Sequence, residues 1–427
     1  MYSGAPMSTR DPQRADQSKR GPLMFVLLTV LIDTIGFGII APVMPKLIME
    51  VAHVPISRAT ELGGYLMLVF AVLQFLCGPL MGNLSDAFGR RPVLLISLFA
   101  FGINYALMGI APTLGWLFVG RAISGIAGAV YAPANAFVAD VTKPEERAKS
   151  FGLVGAAFGL GFVLGPAIGG FLGEAGSRAP FFAAGAMAGL NFVYGFFVLP
   201  ESLPKERRRR FDLKRAHPLG TLRAFRDNPT VASLALAALF WQLSFQVYPS
   251  TWAFYTMAKF QLSPAAIGTT LACSGVSMAL VQSLVTGRVV KRIGEARTAP
   301  IGVTIGAIAF LAYAFIPKSW MIFPVLAIGG LQGIAMPSIN AMMSKSLEPE
   351  RQGELQGGMA SLMGLASIIG PLALTQTLAH FSAPHASPYF PGAAFVLAAM
   401  FALTSLSLLL ARLRSAKPVV NVGTDSR

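Results

Sequence analysis

The chain has 427 residues, of which 54% are hydrophobic and only 12% are charged, and its mean hydropathy is +0.61. This composition excludes an ordinary soluble domain and indicates a membrane protein. The formal net charge of +15 would suit a nucleic-acid-binding protein, but the position of the basic residues gives another explanation below. The two cysteines, Cys77 and Cys273, lie in apolar runs without metal-ligand spacing and are expected to pack among helices.

Twelve apolar segments follow a polar N-terminal tail, and most are near the roughly 20 residues that a spanning helix needs. The tail has no signal-peptide pattern, so the first apolar run is expected to remain as a span. The fold class predicted is therefore an all-α membrane protein with twelve transmembrane helices. We place the segments at 22–49, 61–83, 92–111, 114–138, 150–173, 180–199, 230–257, 264–287, 299–316, 320–343, 354–380 and 389–411.

The Lys and Arg residues are distributed unevenly between the two sides of the predicted membrane. If the N-terminus is cytoplasmic, the tails and the loops on that side hold 28 of the 34 basic residues. Arg121 lies within a span, and five fall on the other side: Lys46, Arg58, Arg178, Lys259 and Lys318. This asymmetry predicts that both termini are cytoplasmic. The asymmetry also explains the excess of basic residues, so nucleic-acid binding is not needed to explain it.

The two halves of the chain repeat at a constant offset of 205 residues. The matched positions are Gly82 and Gly287, Gly89 and Gly294, Asn135 and Asn340, Pro144 and Pro349, and Gly165-Pro166 and Gly370-Pro371. A constant offset through loops and helices indicates a duplicated six-helix unit, which is the architecture of major facilitator transporters. We predict two pseudo-symmetric six-helix bundles at 22–199 and 230–411, with tails at 1–21 and 412–427 and a cytoplasmic loop at 200–229.

The central loop carries a basic cluster of four arginines at 207–210, followed by Lys214 and Arg215. One interpretation is that these residues bind anionic lipid head groups. The other is a solvated linker whose charges follow the distribution of basic residues on the cytoplasmic side.

A charged, glycine-containing loop, GNLSDAFGRRP at 82–92, joins the second and third spans. Gly82 and Gly89 permit a tight turn and close helix approach. Asp86 can lie at the N-terminus of a neighbouring helix, where an anion is favoured. Arg90 can pair with a carboxylate at a helix end, and Asp140 at the cytoplasmic end of the fourth span is the obvious one, which predicts a charge-based gate; a positively charged turn with a capping Asp is the alternative. The loop is similar to the signature loop of major facilitator proteins, and the second copy at 287–294 is degenerate.

The fifth span contains a run of small residues around one proline: Gly159, Gly161, Gly165, Pro166, Gly169 and Gly170. Small residues allow helices to approach closely, and the proline kinks the helix. The run resembles the motif of drug/H⁺ antiporters, which implies antiport. Glycine-rich packing without antiport is the alternative.

Nearly the whole chain resembles the tetracycline/H⁺ antiporters of the twelve-helix drug-efflux group. The resemblance extends over 33–45, the signature loop, 120–129, 155–173, 180–182, 352–357 and 370–371. It implies a protein of the bacterial inner membrane. Where that group carries acidic residues in the third and ninth spans and a histidine in the eighth, this chain has Asn104, Gly306 and Met278. The substitutions weaken the case for a metal-chelated tetracycline as substrate, because such a substrate needs hard ligands and a negative site.

Two charged residues are predicted inside the membrane, Asp33 in the first span and Arg121 in the fourth. An ionised carboxylate in hydrocarbon costs at least about 2.5–3.5 kcal/mol on insertion scales, so it persists where it faces a cavity or a partner. A nearby arginine would favour the ionised form and desolvation the protonated form. We interpret Asp33 as the proton-carrying group and Arg121 as the group that tunes it; a structural ion pair is the alternative.

Neutral polar and aromatic residues in the spans predict a mostly apolar central cavity with a few polar anchors. Gln242 and Gln246 are four residues apart and share a helix face. The candidate substrate-binding residues are Phe37, Gln74, Asn135, Gln242, Gln246, Gln282 and Asn340.

The sequence has no nucleotide-binding loop, catalytic constellation or metal-ligand cluster, so we expect neither an enzyme nor a cofactor. We predict a monomeric antiporter that exports tetracycline-like or other amphiphilic small molecules against protons, in contact with membrane lipids and without nucleic acid. A proton-coupled symporter, or an exporter of one dedicated metabolite, is the alternative on the same fold, and a non-transporting receptor is a rival of another class.

Overall fold

The computed structural model describes residues 12–212, Phe225 and residues 228–415, and every regular element in these ranges is helical. The predicted lipid-binding residues Lys214 and Arg215 lie outside the described residues, as do most of the central loop beyond 212 and the ends of both tails. For the basic cluster, only the arginines at 207–210 can therefore be examined.

Eight α-helices form the part of the chain before the central loop. They are α1 (Pro12–Ile40), α2 (Met44–Ala52), α3 (Ile56–Phe88), α4 (Arg90–Ile110), α5 (Leu114–Ala127), α6 (Tyr131–Val141), α7 (Arg147–Ala175) and α8 (Ala179–Val198). Nine more follow the loop. They are α9 (Pro229–Phe245), α10 (Val247–Phe260), α11 (Pro264–Leu280), α12 (Thr286–Ile293), α13 (Glu295–Phe315), α14 (Ile322–Gly329), α15 (Ala335–Lys345), α16 (Gln352–Phe381) and α17 (Ala393–Ser415).

Eleven helical stretches within the described ranges are long and apolar enough to cross a membrane. The remaining predicted span, the fourth, is split: α5 has 14 residues and is followed by a 3₁₀ turn at Gly128–Val130 and by α6. The corresponding span of the second half is broken close to the equivalent place in the repeat, by the 3₁₀ segment Gly330–Ile334 between α14 and α15. The chain is thus a multi-pass membrane protein in which sequence and structure agree on the fold class.

The first predicted span, 22–49, is not one helix, and this expectation was wrong. Helix α1 ends at Ile40, a turn follows, and α2 begins at Met44. The cause is local, because Pro42 lacks the N–H that would continue the backbone hydrogen bonds of the helix. Instead, the N–H groups of Ala41 and Val43 donate to Gly38 and Ile40 in tight turns, each at 3.2 Å.

The described residues form two compact units. The first comprises 12–47, 72–212 and 263–272, and its core includes the buried residues Phe25, Leu98 and Phe137. The second comprises 48–71, Phe225, 228–262 and 273–415. Its core is aromatic, because Trp252, Tyr255, Tyr313 and Phe395 are all at most 1% exposed and their rings lie in contact.

Candidate functional site

The structure brings the predicted gate residues of the first unit together around Arg90. The Arg90 Nη1 atom lies 2.5 Å from Asp86 Oδ1, and its Nε atom lies 3.3 Å from Asp140 Oδ2. Nη1 also donates to the hydroxyl of the buried Ser85 at 3.2 Å. The Arg90 side chain is only 10% exposed. Through its contacts with Asp86 and Asp140, its guanidinium joins the end of α3 to the end of α6. We call Asp86, Arg90 and Asp140 the latch.

Further contacts to the latch come from the segment after α8, which the sequence analysis did not single out. The hydroxyl of Ser202 donates to Asp140 Oδ2 at 3.1 Å. The carboxylate of Glu201 accepts the backbone N–H of Arg90 at 2.9 Å. A Pro-Glu-Ser sequence at the end of the sixth span was the only available signal, and it lay inside a stretch interpreted as a linker.

The two glycines of the signature loop have different surroundings. Gly89 has a φ of +109°, a conformation that residues with a side chain rarely adopt, so it is needed for the turn between α3 and α4. Gly82 lies inside α3, and no other described atom is within 4 Å of the position that its β-carbon would take. The close helix approach expected at Gly82 is therefore not found.

Gly161, Gly165 and Gly169 of the fifth span lie along one face of α7, which packs against α1. A β-carbon built at Gly161 would lie 2.7 Å from the Thr34 Cβ atom, and one at Gly165 would lie 2.8 Å from the Ile35 carbonyl oxygen. One at Gly169 would lie 2.7 Å from the Ile39 Cα atom. Residues spaced by four thus let the two backbones touch, as small residues do in membrane helices.

The adjacent face of α7 packs against the first turns of α11. A β-carbon at Gly170 would lie 2.5 Å from the Pro264 carbonyl oxygen and 3.1 Å from the Gly268 Cα atom. The carboxylate of Glu174, one turn further along α7, accepts the backbone N–H of Ala265 at 3.0 Å. The predicted motif therefore serves two close helix contacts within the first unit.

Asp33 and Arg121 both lie near Tyr105 on α4. In the described part of the chain, the Nε atom of Arg121 is buried without a hydrogen-bond partner. The direct effect of Arg121 on Asp33 that the sequence suggested stays a prediction. Tyr105 was not identified in the sequence, because nothing in its pattern distinguishes it from a packing aromatic.

Asn191 on α8 is the other polar neighbour of Asp33. Its amide approaches the carboxyl group of Asp33, although its Nδ2 atom makes no hydrogen bond of normal geometry. Its Oδ1 atom accepts a hydrogen bond from Thr29 Oγ1 at 3.3 Å. Because Asn191 is only 1% exposed, it places an unsatisfied donor beside the proposed proton carrier.

The three positions at which the chain departs from the tetracycline pattern have well-defined surroundings. Asn104 is fully buried and donates to Ser124 Oγ at 2.6 Å, which joins α4 to α5. A β-carbon at Gly306 would lie 2.5 Å from Trp241, so aromatic packing fills this place. Met278 lies beside Gly333 in the broken helix of the second half.

The predicted substrate-binding residues of the first unit are accessible to different degrees. Phe37 is 47% exposed on α1. Gln74 is half-buried and donates to the Gly128 carbonyl at 3.3 Å, where the fourth span is broken. Asn135 is half-buried on α6.

In the second unit, Gln242, Gln246 and Asn340 are half-buried, and Gln282 is exposed within a π-helical turn at Val281–Val285. Of the aromatic residues near them, Trp241, Tyr248 and Trp252 are buried in the packing of this unit, and Phe245 is half-buried.

The fold and these contacts define a transporter of a widespread class, and the comparisons agree. The chain matches the family model of the Major Facilitator Superfamily over residues 26–255 and 234–426 and belongs to that superfamily. A solved bacterial homologue of the human lysosomal transporter Spinster has a TM-score of 0.75 at 18% identity, covering 95% of this chain and 98% of that one.

Within the superfamily, the chain belongs with the tetracycline resistance proteins. It is 41% identical to the class C tetracycline resistance protein of Escherichia coli, over 83% of this chain and 88% of that protein. It is 38% identical to the class G protein of Vibrio anguillarum, over 83% of this chain and 90% of that protein.

Proposed function

We propose that the protein is a drug/H⁺ antiporter that exports tetracycline-like or other amphiphilic small molecules by alternating access. The likeness to tetracycline resistance proteins over most of the chain supports drug efflux, and the small-residue face of α7 supports antiport. Protons moving inward would supply the driving force.

Asp33 is the proposed proton carrier. The main support for this proposal is the contact between α7 and the residues that flank Asp33 on α1. Gly161 of α7 packs against Thr34 and against the Leu31 carbonyl oxygen, at 2.7 and 2.9 Å from its β-carbon position. These residues flank Asp33 on α1, so a change of charge at Asp33 would act directly beside the α1–α7 contact. Protonation would remove the cost of a carboxylate in a desolvated position, and α7 could then shift along its glycine face.

Tyr105 and Arg121 would tune this carboxylate. Arg121 remains protonated in the environments that proteins provide, and Tyr105 interacts with both charges. On this proposal, Asp33 releases its proton in the state in which its carboxylate faces Tyr105 and Arg121. It takes up a proton in the state in which it does not face them.

The latch would close the cytoplasmic side in one state of the cycle. Arg90 contacts both Asp86 and Asp140, and all three charges would have to separate for the latch to open. The domain division at 22–199 and 230–411 remains our proposal for the parts that alternate. We further propose a monomer in the bacterial inner membrane, with both termini cytoplasmic and anionic lipids around the basic side.

The test uses purified protein in liposomes that contain a pH-sensitive dye. Tetracyclines and unrelated amphiphilic drugs are added one at a time, and substrate-dependent proton movement is recorded. We expect Asp33→Asn to abolish this movement at unchanged protein amount, while Glu145→Gln, which alters an exposed carboxylate, leaves it intact.

Proton-driven efflux that persists in Asp33→Asn would contradict the assignment of the proton carrier. Counterflow under opposite pH gradients separates the antiporter from a symporter. A folded protein without any response across the panel would contradict drug export and favour one dedicated metabolite as cargo.

A further inference from the structure

The segment after α8, residues 201–212, lies over the loop between α3 and α4, and we call it the strap. The Glu201 carboxylate holds the two together. Its Oε1 atom accepts the backbone N–H groups of Arg90 at 2.9 Å and of Leu203 at 3.0 Å. Its Oε2 atom lies 3.5 Å from Arg208 Nη2. A single side chain therefore fixes the backbone of a latch residue and also the turn of the strap.

Two further hydrogen bonds hold the later part of the strap to the end of α3. The backbone N–H of Arg209 donates to the Asp86 carbonyl oxygen at 3.1 Å. The side-chain amide of Asn83 donates to the Asp212 carbonyl oxygen at 2.6 Å. These two bonds join the strap to the α3 side of the glycine turn and do not depend on Glu201, whereas the contact on the α4 side, to Arg90, is made by Glu201.

The glycine turn itself is built to accommodate the strap. A β-carbon at Gly89 would lie 2.8 Å from the Glu201 Cδ atom and 2.9 Å from Arg208 Nη2. Its repeat partner Gly294 also has a positive φ, of +75°, but no other described atom lies within 4 Å of its β-carbon position. The same turn therefore occurs in both copies of the repeat, and the described part of the chain covers it only in the first.

We propose that Glu201 is a positioning residue of the latch and that the strap links the central loop to Arg90; this rests on the proposed transport function. With the strap in place, the backbone of Arg90 is held so that its guanidinium reaches Asp86 and Asp140 together. When the strap leaves, the turn at Gly89 is free and the latch loses its geometry. On this proposal, the central loop controls the latch through the strap, in addition to the attraction between the charges of the latch itself.

The first experiment measures amide hydrogen exchange of the full-length protein in nanodiscs. In Glu201→Ala we expect the peptide containing Gly89 and Arg90 to exchange at least about tenfold faster, the lower end of the range that corresponds to losing one hydrogen bond to a charged group. Glu201→Gln keeps an acceptor for the Arg90 N–H and should give a smaller increase. Glu206→Ala alters another exposed carboxylate of the same segment, is the matched control and should change nothing.

The second experiment measures transport by the same variants in liposomes. We expect Glu201→Ala to lower the maximal rate several-fold and to leave the half-saturating substrate concentration unchanged, because Glu201 touches the latch and not the cargo. If Glu201→Ala does not fold, Glu201→Asp, whose shorter side chain withdraws the carboxylate from the Arg90 N–H, is measured in its place.

The third experiment uses the two repeated glycines. Gly294→Ala introduces only the strain of a positive φ, whereas Gly89→Ala adds overlap with the Glu201–Arg208 pair. We expect exchange in the loop around residue 89 to rise more than exchange around residue 294. Combining Gly89→Ala with Glu201→Ala should add little further increase.

Unchanged exchange in Glu201→Ala, or in Glu201→Asp where that variant replaces it, would overturn the positioning role. Faster exchange with unchanged transport would overturn the link to the latch. If the wild-type protein moves no cargo at all, the proposed function fails, and the exchange measurements still decide whether Glu201 positions Arg90.

Discussion

Gly38 on α1 and Pro166 on α7 are in direct contact: a β-carbon at Gly38 would lie 2.8 Å from the Pro166 Cδ atom and 3.2 Å from the Gly165 Cα atom. The glycine thus makes room for the proline that kinks α7. Two features that the sequence places more than a hundred residues apart form one joint between two helices, about a turn from Asp33.

Enlarging this joint should impair the protein. Gly38→Ala forces a methyl group against Pro166, and overpacking of this kind costs about 1–3 kcal/mol in the free energy of unfolding. We expect a lower thermal midpoint in detergent and slower transport in liposomes. Gly159→Ala is the matched control, because no other described atom lies within 4 Å of its β-carbon position. Equal behaviour of the two variants would show that the α1–α7 contact is not tight.

The latch should require arginine and not merely a positive charge at residue 90. Arg90 reaches Asp140 with its Nε atom and both Asp86 and Ser85 with its Nη1 atom, and a lysine has one nitrogen to offer. We expect Arg90→Lys to lose most of its transport activity at unchanged protein amount. Arg351→Lys, in an exposed pair with Glu354, is the control and should retain activity. Normal transport by Arg90→Lys would argue against a geometric latch.

Tyr105 should affect proton coupling through its hydroxyl group. The hydroxyl lies 3.2 Å from the β-carbon position of Gly36, and the side chain interacts with both Asp33 and Arg121. Tyr105→Phe keeps the ring and removes the hydroxyl, so we expect an altered dependence of efflux on pH with little loss of stability. Tyr194→Phe, on a more exposed tyrosine, should leave the pH profile as in the wild type. An unchanged profile in Tyr105→Phe would remove Tyr105 from the coupling group.

The Asn104–Ser124 hydrogen bond should stabilise the first unit. Both residues are buried, and the donor and acceptor are 2.6 Å apart. Removing one partner of such a bond costs about 1–3 kcal/mol, because the other is left unsatisfied. We expect Asn104→Ala and Ser124→Ala each to lower stability, and the double variant to lose less than the sum. Additive losses, measured by thermal unfolding, would show that the two side chains act independently.

Transport should not depend on a divalent metal ion. The positions at which the related antiporters carry acidic or imidazole ligands hold Asn104, Gly306 and Met278. An acidic side chain at 306 would also displace Trp241, which lies 2.5 Å from the β-carbon position. We expect drug-dependent proton movement to continue when EDTA replaces Mg²⁺. Loss of movement in EDTA that returns with Mg²⁺ would show that the cargo is a metal complex.

The sequence by itself determined the membrane class, the twelve segments, the duplication and the residues of the latch. The physical reason for the first two is that the bilayer thickness sets the length of an apolar spanning helix. The duplication is visible because equivalent residues of the two halves are separated by a constant number of residues. Charges in such a chain are few, so Asp33, Asp86, Arg90, Arg121 and Asp140 could be found without coordinates.

Only the tertiary structure decided how these residues are connected. A run of glycines does not say which helix each glycine meets, and α7 uses Gly165 against α1 but Gly170 against α11. Tyr105 and Glu201 have no sequence pattern of their own, because their roles depend on neighbours far along the chain. From the sequence, the strap could not be told from a linker. Most of its hydrogen bonds have a backbone group as one partner, and every residue has such groups, so these bonds leave no pattern in the sequence.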